Sequence, residues 1–408
     1  MKAVLINPPR PYLLEQKALP NLGICTVSAV FKQLGYEVEV LDFADGFQFA
    51  DADIHGLSIT TPDFPVSVQI ATWLKEQGAQ KIIAGGPHAT LKPHECLDSG
   101  FDAVSVGDGE VTIPQILKGA RMAVGWLTNV DNAPHPDRTC LNLKKYNFKI
   151  KGQSATSMMT TYSCAWGRCA FCCRPPFNKV RFHSHKWVQE DLKQISNLGF
   201  SAVQIYDDEF FTYPKRDIKI IDILGQRGFT WRTFGHSQFI LQNKKLLFEA
   251  SKNGLHEVLL GIESGSDQIL KTINKGTTVA INKEAIKLLH FLGIRIKTAM
   301  IVMLPGESEE TLKETWSFCE EMEPFISEWD FTMLVPYANS EIYEFTEKFD
   351  IKFDKKQVYQ AYKGSGTDAW NPTPISTSKL SFEEGLKWRE RLEQRFKYKK
   401  EVVKHDCC

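Results

Sequence analysis

The turn residues of this chain close its apolar runs. Residues 3–6 end at Asn7-Pro8-Pro9, residues 54–60 at Thr60-Thr61-Pro62, residues 81–84 at Gly85-Gly86-Pro87-His88, and residues 103–106 at Gly107-Asp108-Gly109-Glu110. Residues 37–41 form a further run that ends at Asp42. Helix-length segments separate them. Pro20-Asn21 opens one that runs through Leu34 and is closed by Gly35, and another covers 66–77; glycine ends helices because it turns left-handed freely. Short strands alternating with helices predict a parallel, doubly wound α/β sheet of Rossmann-like type. Such a sheet takes ligands beyond the carboxyl ends of its strands, where these motifs stand, and glycine there lets backbone approach a ligand.

A second series starts after a segment at 131–152 that holds Pro134, Pro136 and mixed charge. A strand at 155–161 is followed by a helix at 184–198. Strand 203–206 ends at Asp207-Asp208-Glu209, strand 230–234 precedes a helix at 243–252, and strand 257–260 ends at Gly261-Ile262-Glu263-Ser264-Gly265. Strand 295–302 ends at Leu304-Pro305-Gly306-Glu307, and strand 328–334 at Val335-Pro336-Tyr337. About six strand–helix units predict a partial (β/α)6 barrel with its motifs at the carboxyl ends, where barrel sites sit. The expected domains are therefore 1–130, a linker at 131–152, 153–335, and a mostly helical C-terminal region at 336–408. That region carries a basic, aromatic-interleaved helix over 382–400, read as a solvated face.

A chain of 408 residues with 43% hydrophobic content and zero formal net charge has room for two or three domains. It offers no field for a polyanion such as nucleic acid. The first residues hold too short an apolar run for a signal peptide. The longest apolar stretch, near 299–304, is far below membrane-spanning length. The expected location is cytoplasmic.

Three of the ten cysteines lie in Tyr162-Ser163-Cys164-Ala165-Trp166-Gly167-Arg168-Cys169-Ala170-Phe171-Cys172. Three thiolates can hold three irons of a four-iron, four-sulfur cluster and leave the fourth iron open, whereas electron-transfer clusters are usually closed by four cysteines. Zinc wants four ligands, and His183 and His185 lie near enough in sequence to keep that alternative open. Cys25, Cys96, Cys140 and Cys319 read as buried apolar thiols, and Cys407 and Cys408 as a tail. The scatter is not a disulfide framework.

The cysteine loop resembles that of the radical S-adenosylmethionine (radical SAM) superfamily, Cys-x3-Cys-x2-Cys with an aromatic before the last cysteine. Phe171 fills the aromatic position, while the first gap holds four residues. Over most of its length the chain is similar to the cobalamin-binding radical SAM enzymes, the class B-type methylases and their relatives. Asn7-Pro8-Pro9, Gly85-Gly86-Pro87-His88 and Gly107-Asp108-Gly109-Glu110 carry the likeness in the first domain. Tyr206 to Phe210, Gly261 to Ser266, Lys275-Gly276 and Leu304-Pro305-Gly306-Glu307 carry it in the second.

The resemblance implies a [4Fe-4S] cluster on Cys164, Cys169 and Cys172, with Cys173 as an alternative to the last. It implies SAM held by Phe171, Asp207, Asp208, Glu209, Glu263, Ser264, Leu304 and Pro305. Carboxylates at 207–209 suit an ammonium, though aspartates also cap helices. Glu263 would face the ribose, and Met303 stands where a glycine is common. For cobalamin the implied residues are Asn7, Pro8, Thr60, Thr61, Gly85, Gly86, Pro87, His88, Gly107, Gly109 and Glu110. No histidine follows the first strand to ligate cobalt, and His55 reads as a strand-edge residue. One cluster is expected.

The implied chemistry is reductive cleavage of SAM to a 5′-deoxyadenosyl radical, followed by methyl transfer from cobalamin to an unactivated carbon of a small molecule or peptide. A one-electron reductant such as flavodoxin or ferredoxin would serve it. The rival readings are a cobalamin-independent radical rearrangement, dehydrogenation or cyclisation, and a non-catalytic iron–sulfur or zinc-binding protein.

Overall fold

The computed structural model describes all residues except 11, 12, 14, 175, 178, 361–371 and 398–408. Its first sheet has six parallel strands, β1 (Lys2–Asn7), β2 (Glu37–Asp42), β3 (Ile54–Ser58), β4 (Ile82–Gly85), β5 (Ala103–Gly107) and β6 (Met122–Gly125), in the order β2-β1-β3-β4-β5-β6. The winding reverses between β1 and β3, which makes that crevice the expected ligand position. Side chains alternate between faces along a strand. Val4, Ile6, Leu57, Ile82 and Ala84 accordingly join α2 (Phe64–Glu76) in one core, while Ala3, Leu5, Ile54 and Ile83 join α1 (Leu22–Gln33) and a helix at Gly109–Leu117 in another. Asn21 caps α1, its Oδ1 accepting from Ile24 N at 3.2 Å, an interaction whose loss costs about 1 kcal/mol. Strand β6 was not among the expected ones; it is a four-residue edge strand with only Ala123 buried, too short and too exposed to show periodicity.

The second sheet runs β15-β14-β13-β12-β11-β8-β7. Here β7 (Lys149–Ile150) is antiparallel to β8 (Gln153–Met158). Strands β9 (Thr161–Tyr162) and β10 (Arg181–Phe182) form a separate antiparallel ribbon. The others are β11 (Ala202–Ile205), β12 (Thr230–Gly235), β13 (Leu255–Glu263), β14 (Arg295–Val302) and β15 (Glu328–Met333). Six strands are parallel, and the terminal strands do not pair, giving the open half-barrel expected.

The segment joining the two sheets is packed rather than loose. Arg138 is buried and forks onto Asp191 of the helix His185–Asn197 at 2.7 and 2.9 Å. Asp137 accepts from Ser28 at 2.8 Å and Lys32 at 2.7 Å of α1.

Among the described residues the C-terminal region has less helix than expected: Glu341–Glu344, a 3-10 turn at Gln357–Gln360, and Phe382–Leu392 continuing as a π-turn through Lys397. That last helix is not merely a solvated face. Trp388, Leu392 and Phe396 are buried, Phe396 lying against Trp329 and Phe331 of β15. Arg389 is buried too, bonded to Phe331 O at 3.2 Å and Glu393 at 2.6 Å. Its basic residues thus divide between core and solvent. Residues 398–400, Cys407 and Cys408 lie outside the described residues. No helix among those described is long and apolar enough to cross a membrane.

Candidate functional site

Beyond β8 the chain passes through Thr160, Thr161 and Tyr162 into the cysteine loop. Ser163 and Gly167 turn it with φ of 73° and 52°. The loop is tied to the segment after the helix Asp267–Thr272: Ala170 N donates to Ile273 O at 2.9 Å, Trp166 Nε1 to Asn274 O at 2.9 Å, and Asn274 Nδ2 to Arg168 O at 3.2 Å. The Trp166 ring lies on Gly276, where a Cβ would stand 2.3 Å from it. The four-residue gap between Cys164 and Cys169 is therefore occupied by an anchored tryptophan.

Cys164, Cys169 and Cys172 line one cavity of about 310 Å³, with Cys173, Phe171, Asp208, Glu209 and Glu263. Burial raises all three loop thiols, Cys172 to about 12, so a thiolate there needs a bound cation. Glu209 is buried, its Oε1 has no hydrogen-bond partner, and burial pushes its carboxyl up to about 8. An unpartnered buried carboxylate of this kind is stabilised by a cationic ligand. Glu263, at φ 66°, pairs with Lys275 Nζ at 2.7 Å. Burial opposes the Lys275 charge, but Glu263 and then Cys169 outweigh it and hold the ammonium above the usual lysine range. Gly261 makes room, since a Cβ would stand 2.7 Å from both charged groups. His236 donates from Nε2 to Lys275 O at 2.7 Å and accepts at Nδ1 from Gln238 N at 3.2 Å. Burial, then Lys275, lowers it to about 4, so it is a neutral prop for the lysine loop.

A second cavity of about 220 Å³ lies against the first sheet. Gly23 and Val27 of α1, Gly56 and Ser58 of β3, Gly85, Gly86 and the run Gly107, Asp108, Gly109 and Glu110 line it. Two of these glycines hold backbone where a side chain would not fit. Gly86 and Gly107 have φ of 91° and 97°, and a Cβ on Gly107 would stand 2.3 Å from Gly125 O and 2.8 Å from the Trp126 ring. Burial raises the Glu110 carboxyl. One lining residue, Tyr162, comes from β9, two positions before Cys164.

A model of the radical SAM superfamily matches residues 158–319, and a model of the B12 binding domain matches residues 16–117. The chain thus carries a radical SAM domain and a B12 binding domain. It is 26% identical over 389 residues to an uncharacterised methyltransferase of Pyrococcus horikoshii, covering 85% of this chain and 83% of that one. It is 26% identical over 313 residues to the anaerobic magnesium-protoporphyrin IX monomethyl ester cyclase of Cereibacter sphaeroides, covering 69% of this chain and 50% of that one. The methyltransferase TsrM from Kitasatospora setae, solved with cobalamin and a [4Fe-4S] cluster, has a TM-score of 0.72 at 14% identity, over 100% of this chain and 93% of its own. OxsB with aqua-cobalamin has a TM-score of 0.67 at 20% identity, over 88% of this chain and 56% of its own. These structural likenesses show the fold.

A radical SAM domain and a B12 binding domain imply a [4Fe-4S] cluster, SAM and cobalamin as cofactors. Four free cysteines, Cys164, Cys169, Cys172 and Cys173, line one cavity, although among the described residues no three metal-binding side chains are drawn together at ligating distance. The orphaned Glu209 oxygen suits the SAM ammonium, and a slot floored by glycine suits a flat ring system. Neither His55 nor His88 lines the slot, and each keeps one buried ring nitrogen without a hydrogen-bond partner, Nδ1 of His55 and Nε2 of His88. His55 Nε2 is 3.0 Å from Ala50 O, and the ring stacks on Phe49. The His88 ring lies 4.1 Å from that of Phe64 with Nδ1 3.3 Å from Thr61 Oγ1.

Several residues named from the sequence stand outside both cavities. Asp207 is fully buried, accepting from Thr160 N at 2.5 Å, Thr160 Oγ1 at 2.5 Å and Thr161 N at 2.9 Å; it holds the approach to the cysteine loop. Ser264 accepts from Ser266 N at 3.2 Å and lies 3.3 Å from Thr315 Oγ1. Leu304 and Pro305 are buried in a turn built by Met303 at φ 71°, whose N–H and that of Leu304 donate to Glu307 at 2.6 and 3.2 Å. Met303 does take the conformation a glycine would, and Gly385 makes room for its Sδ. Asn7 bonds Asn21 and Asp42 at 3.0 and 3.3 Å, and Thr60 bonds Asp63 at 2.6 Å. Pro8, Thr61, Pro87 and His88 also do not line the slot. Lys275, His236, Asp108 and Tyr162 are the residues that sequence reasoning did not single out as site residues. Lys275 was legible only as half of a Lys-Gly pair, and Tyr162 only as the residue leading into the cysteines.

Proposed function

We propose that the chain is a cobalamin-dependent radical SAM methylase acting on an unactivated carbon of a small molecule or peptide. The supporting observation is that the three-cysteine cavity and the glycine-floored slot meet at one short segment, Tyr162 to Cys164. In this reading residues 1–130 carry cobalamin, 153–335 carry the cluster and SAM, 131–152 fix the two together, and 336–408 shape the substrate pocket. Cys164, Cys169 and Cys172 would hold the cluster, and Gly85, Gly86, Gly107, Gly109 and Glu110 would line the cobalamin. The bound cofactors supply an electron for SAM cleavage and a methyl group for transfer.

The chain's own residues bind and orient. Glu209 and Asp208 would take the SAM ammonium. Glu263, held by Lys275, would accept from the ribose hydroxyls, its position fixed because a buried pair moves only as a unit. Phe171 and Leu259 line the cavity with apolar surface and exclude water from it. The test is turnover of cluster-loaded, cobalamin-loaded protein with SAM labelled in its methyl group and a reductant. The expected products are 5′-deoxyadenosine, S-adenosylhomocysteine and label in an acceptor. Formation of 5′-deoxyadenosine with no methylated product over a panel of acceptors, and no methylation of cobalamin by SAM, would replace the reading with a radical rearrangement or dehydrogenation.

A further inference from the structure

Arg181 of β10 is paired in register with Tyr162 of β9. Its guanidinium is buried, with Nη1 2.5 Å from Asp108 Oδ2 and 2.9 Å from Leu127 O. It lies 5.1 Å from the centre of the Tyr162 ring and 5.1 Å from that of Phe177. Phe177 in turn stacks on Trp126 at 5.4 Å and 13°. Asp108 also accepts from Leu127 N at 2.8 Å, and it stands at the start of the helix that walls the slot. On the other side, Thr161 is held by Asp207, and the cysteines begin two residues after Tyr162. Tyr162 therefore cannot shift without disturbing both the slot wall and the cysteine loop. An arginine between two rings with a carboxylate at its fork is a rigid, geometrically specific contact.

The geometry points to Tyr162 as a cobalamin-binding residue supplied by the barrel, with Arg181 as its positioning residue, so that filling the slot orders the cysteine loop. This rests on the reading that the slot takes cobalamin. Tyr162 is the lining residue that comes from outside the first sheet and its helices, and its contribution is apolar contact with a flat ligand.

The test uses the full chain, cluster-loaded under anaerobic conditions, with hydroxocobalamin as the probe. Cobalamin retained after desalting is read by absorbance, and iron content reports an intact cysteine loop. Tyr162→Ala is expected to weaken cobalamin binding about tenfold with iron content unchanged, and Tyr162→Phe to bind within about twofold of wild type. Amide hydrogen exchange across residues 160–173 is expected to slow about tenfold on adding hydroxocobalamin to wild type, and to be insensitive to it in Arg181→Ala. A merely structural Arg181 would change exchange equally with and without cobalamin. Wild-type retention by Tyr162→Ala, loss in Tyr162→Phe as large as in the alanine variant, or an undiminished exchange response in Arg181→Ala overturns this inference alone. Wild-type protein that keeps no form of cobalamin overturns it together with the functional reading.

Discussion

The two cavities are built by opposite means. The slot on the first sheet is lined by six glycines, at 23, 56, 85, 86, 107 and 109, and Gly86 and Gly107 among them are held in close contact with neighbouring backbone where a Cβ would not fit. The barrel cavity is made by what is present: four thiols, a buried carboxylate with one unpartnered oxygen and a buried ion pair. The first is shape-selective, with its charge confined to Asp108 and Glu110. A site of presence is strained and charged, and needs its ligands to neutralise it. Substitutions should therefore act as steric insults at one and as electrostatic insults at the other.

The largest effect belongs to the cysteines. Replacing Cys164, Cys169 or Cys172 by alanine is expected to abolish SAM cleavage and deplete bound iron, measured anaerobically, while cobalamin retention persists. The next tests the ion pair. Lys275→Met should strip about 3–5 kcal/mol of stability by leaving Glu263 buried and unpaired, whereas Lys275→Met with Glu263→Leu should recover most of it, as read by denaturant unfolding. Recovery distinguishes a stranded charge from lost packing. At the slot, Gly107→Ala places a Cβ on backbone at φ 97°. It should reduce cobalamin retention by about tenfold or more and destabilise by about 1–3 kcal/mol, with iron content untouched.

The smallest and most distributed effect is acid lability. Burial lowers His88, His183 and His236 each to about 4. The unfolded chain binds their protons at higher pH than the folded one does. Their contribution to stability is therefore full above about pH 6.5 and is lost progressively as pH falls toward 4, by about 1.4 kcal/mol per unit per group. His88 belongs to the first sheet and His236 to the barrel; His183 follows β10. His236→Phe should flatten the decline of the barrel's unfolding transition and leave that of the first sheet unchanged.

Both sheets were legible because turn chemistry marks strand ends regardless of tertiary context. Most of the cysteine cavity was legible for the same reason: Cys164, Cys169, Cys172, Phe171, Asp208, Glu209 and Glu263 all line it. What a strand end does not reveal is direction. Beyond the strand end, tertiary partners set that direction: Asp207 turns in to bind Thr160, while Asp208 and Glu209 line the cavity. Nor does sequence show contacts between distant segments. Arg138 with Asp191 and Arg181 with Asp108 join residues 53 and 73 apart, and neither pair carries a local signal. Near the strand ends of the first sheet, Asn7 and Thr60 bond neighbouring side chains and the His88 ring packs on Phe64, so none of the three lines the slot.

The most direct test of the central claim, that one chain carries these two unlike cofactor sites, is the iron, sulfide, zinc and cobalamin content of protein made anaerobically with cobalamin supplied. The expected result is about four irons and four sulfides with one cobalamin per chain after desalting. Zinc in place of iron, or iron and sulfide with no cobalamin retained in any of its forms, would contradict it.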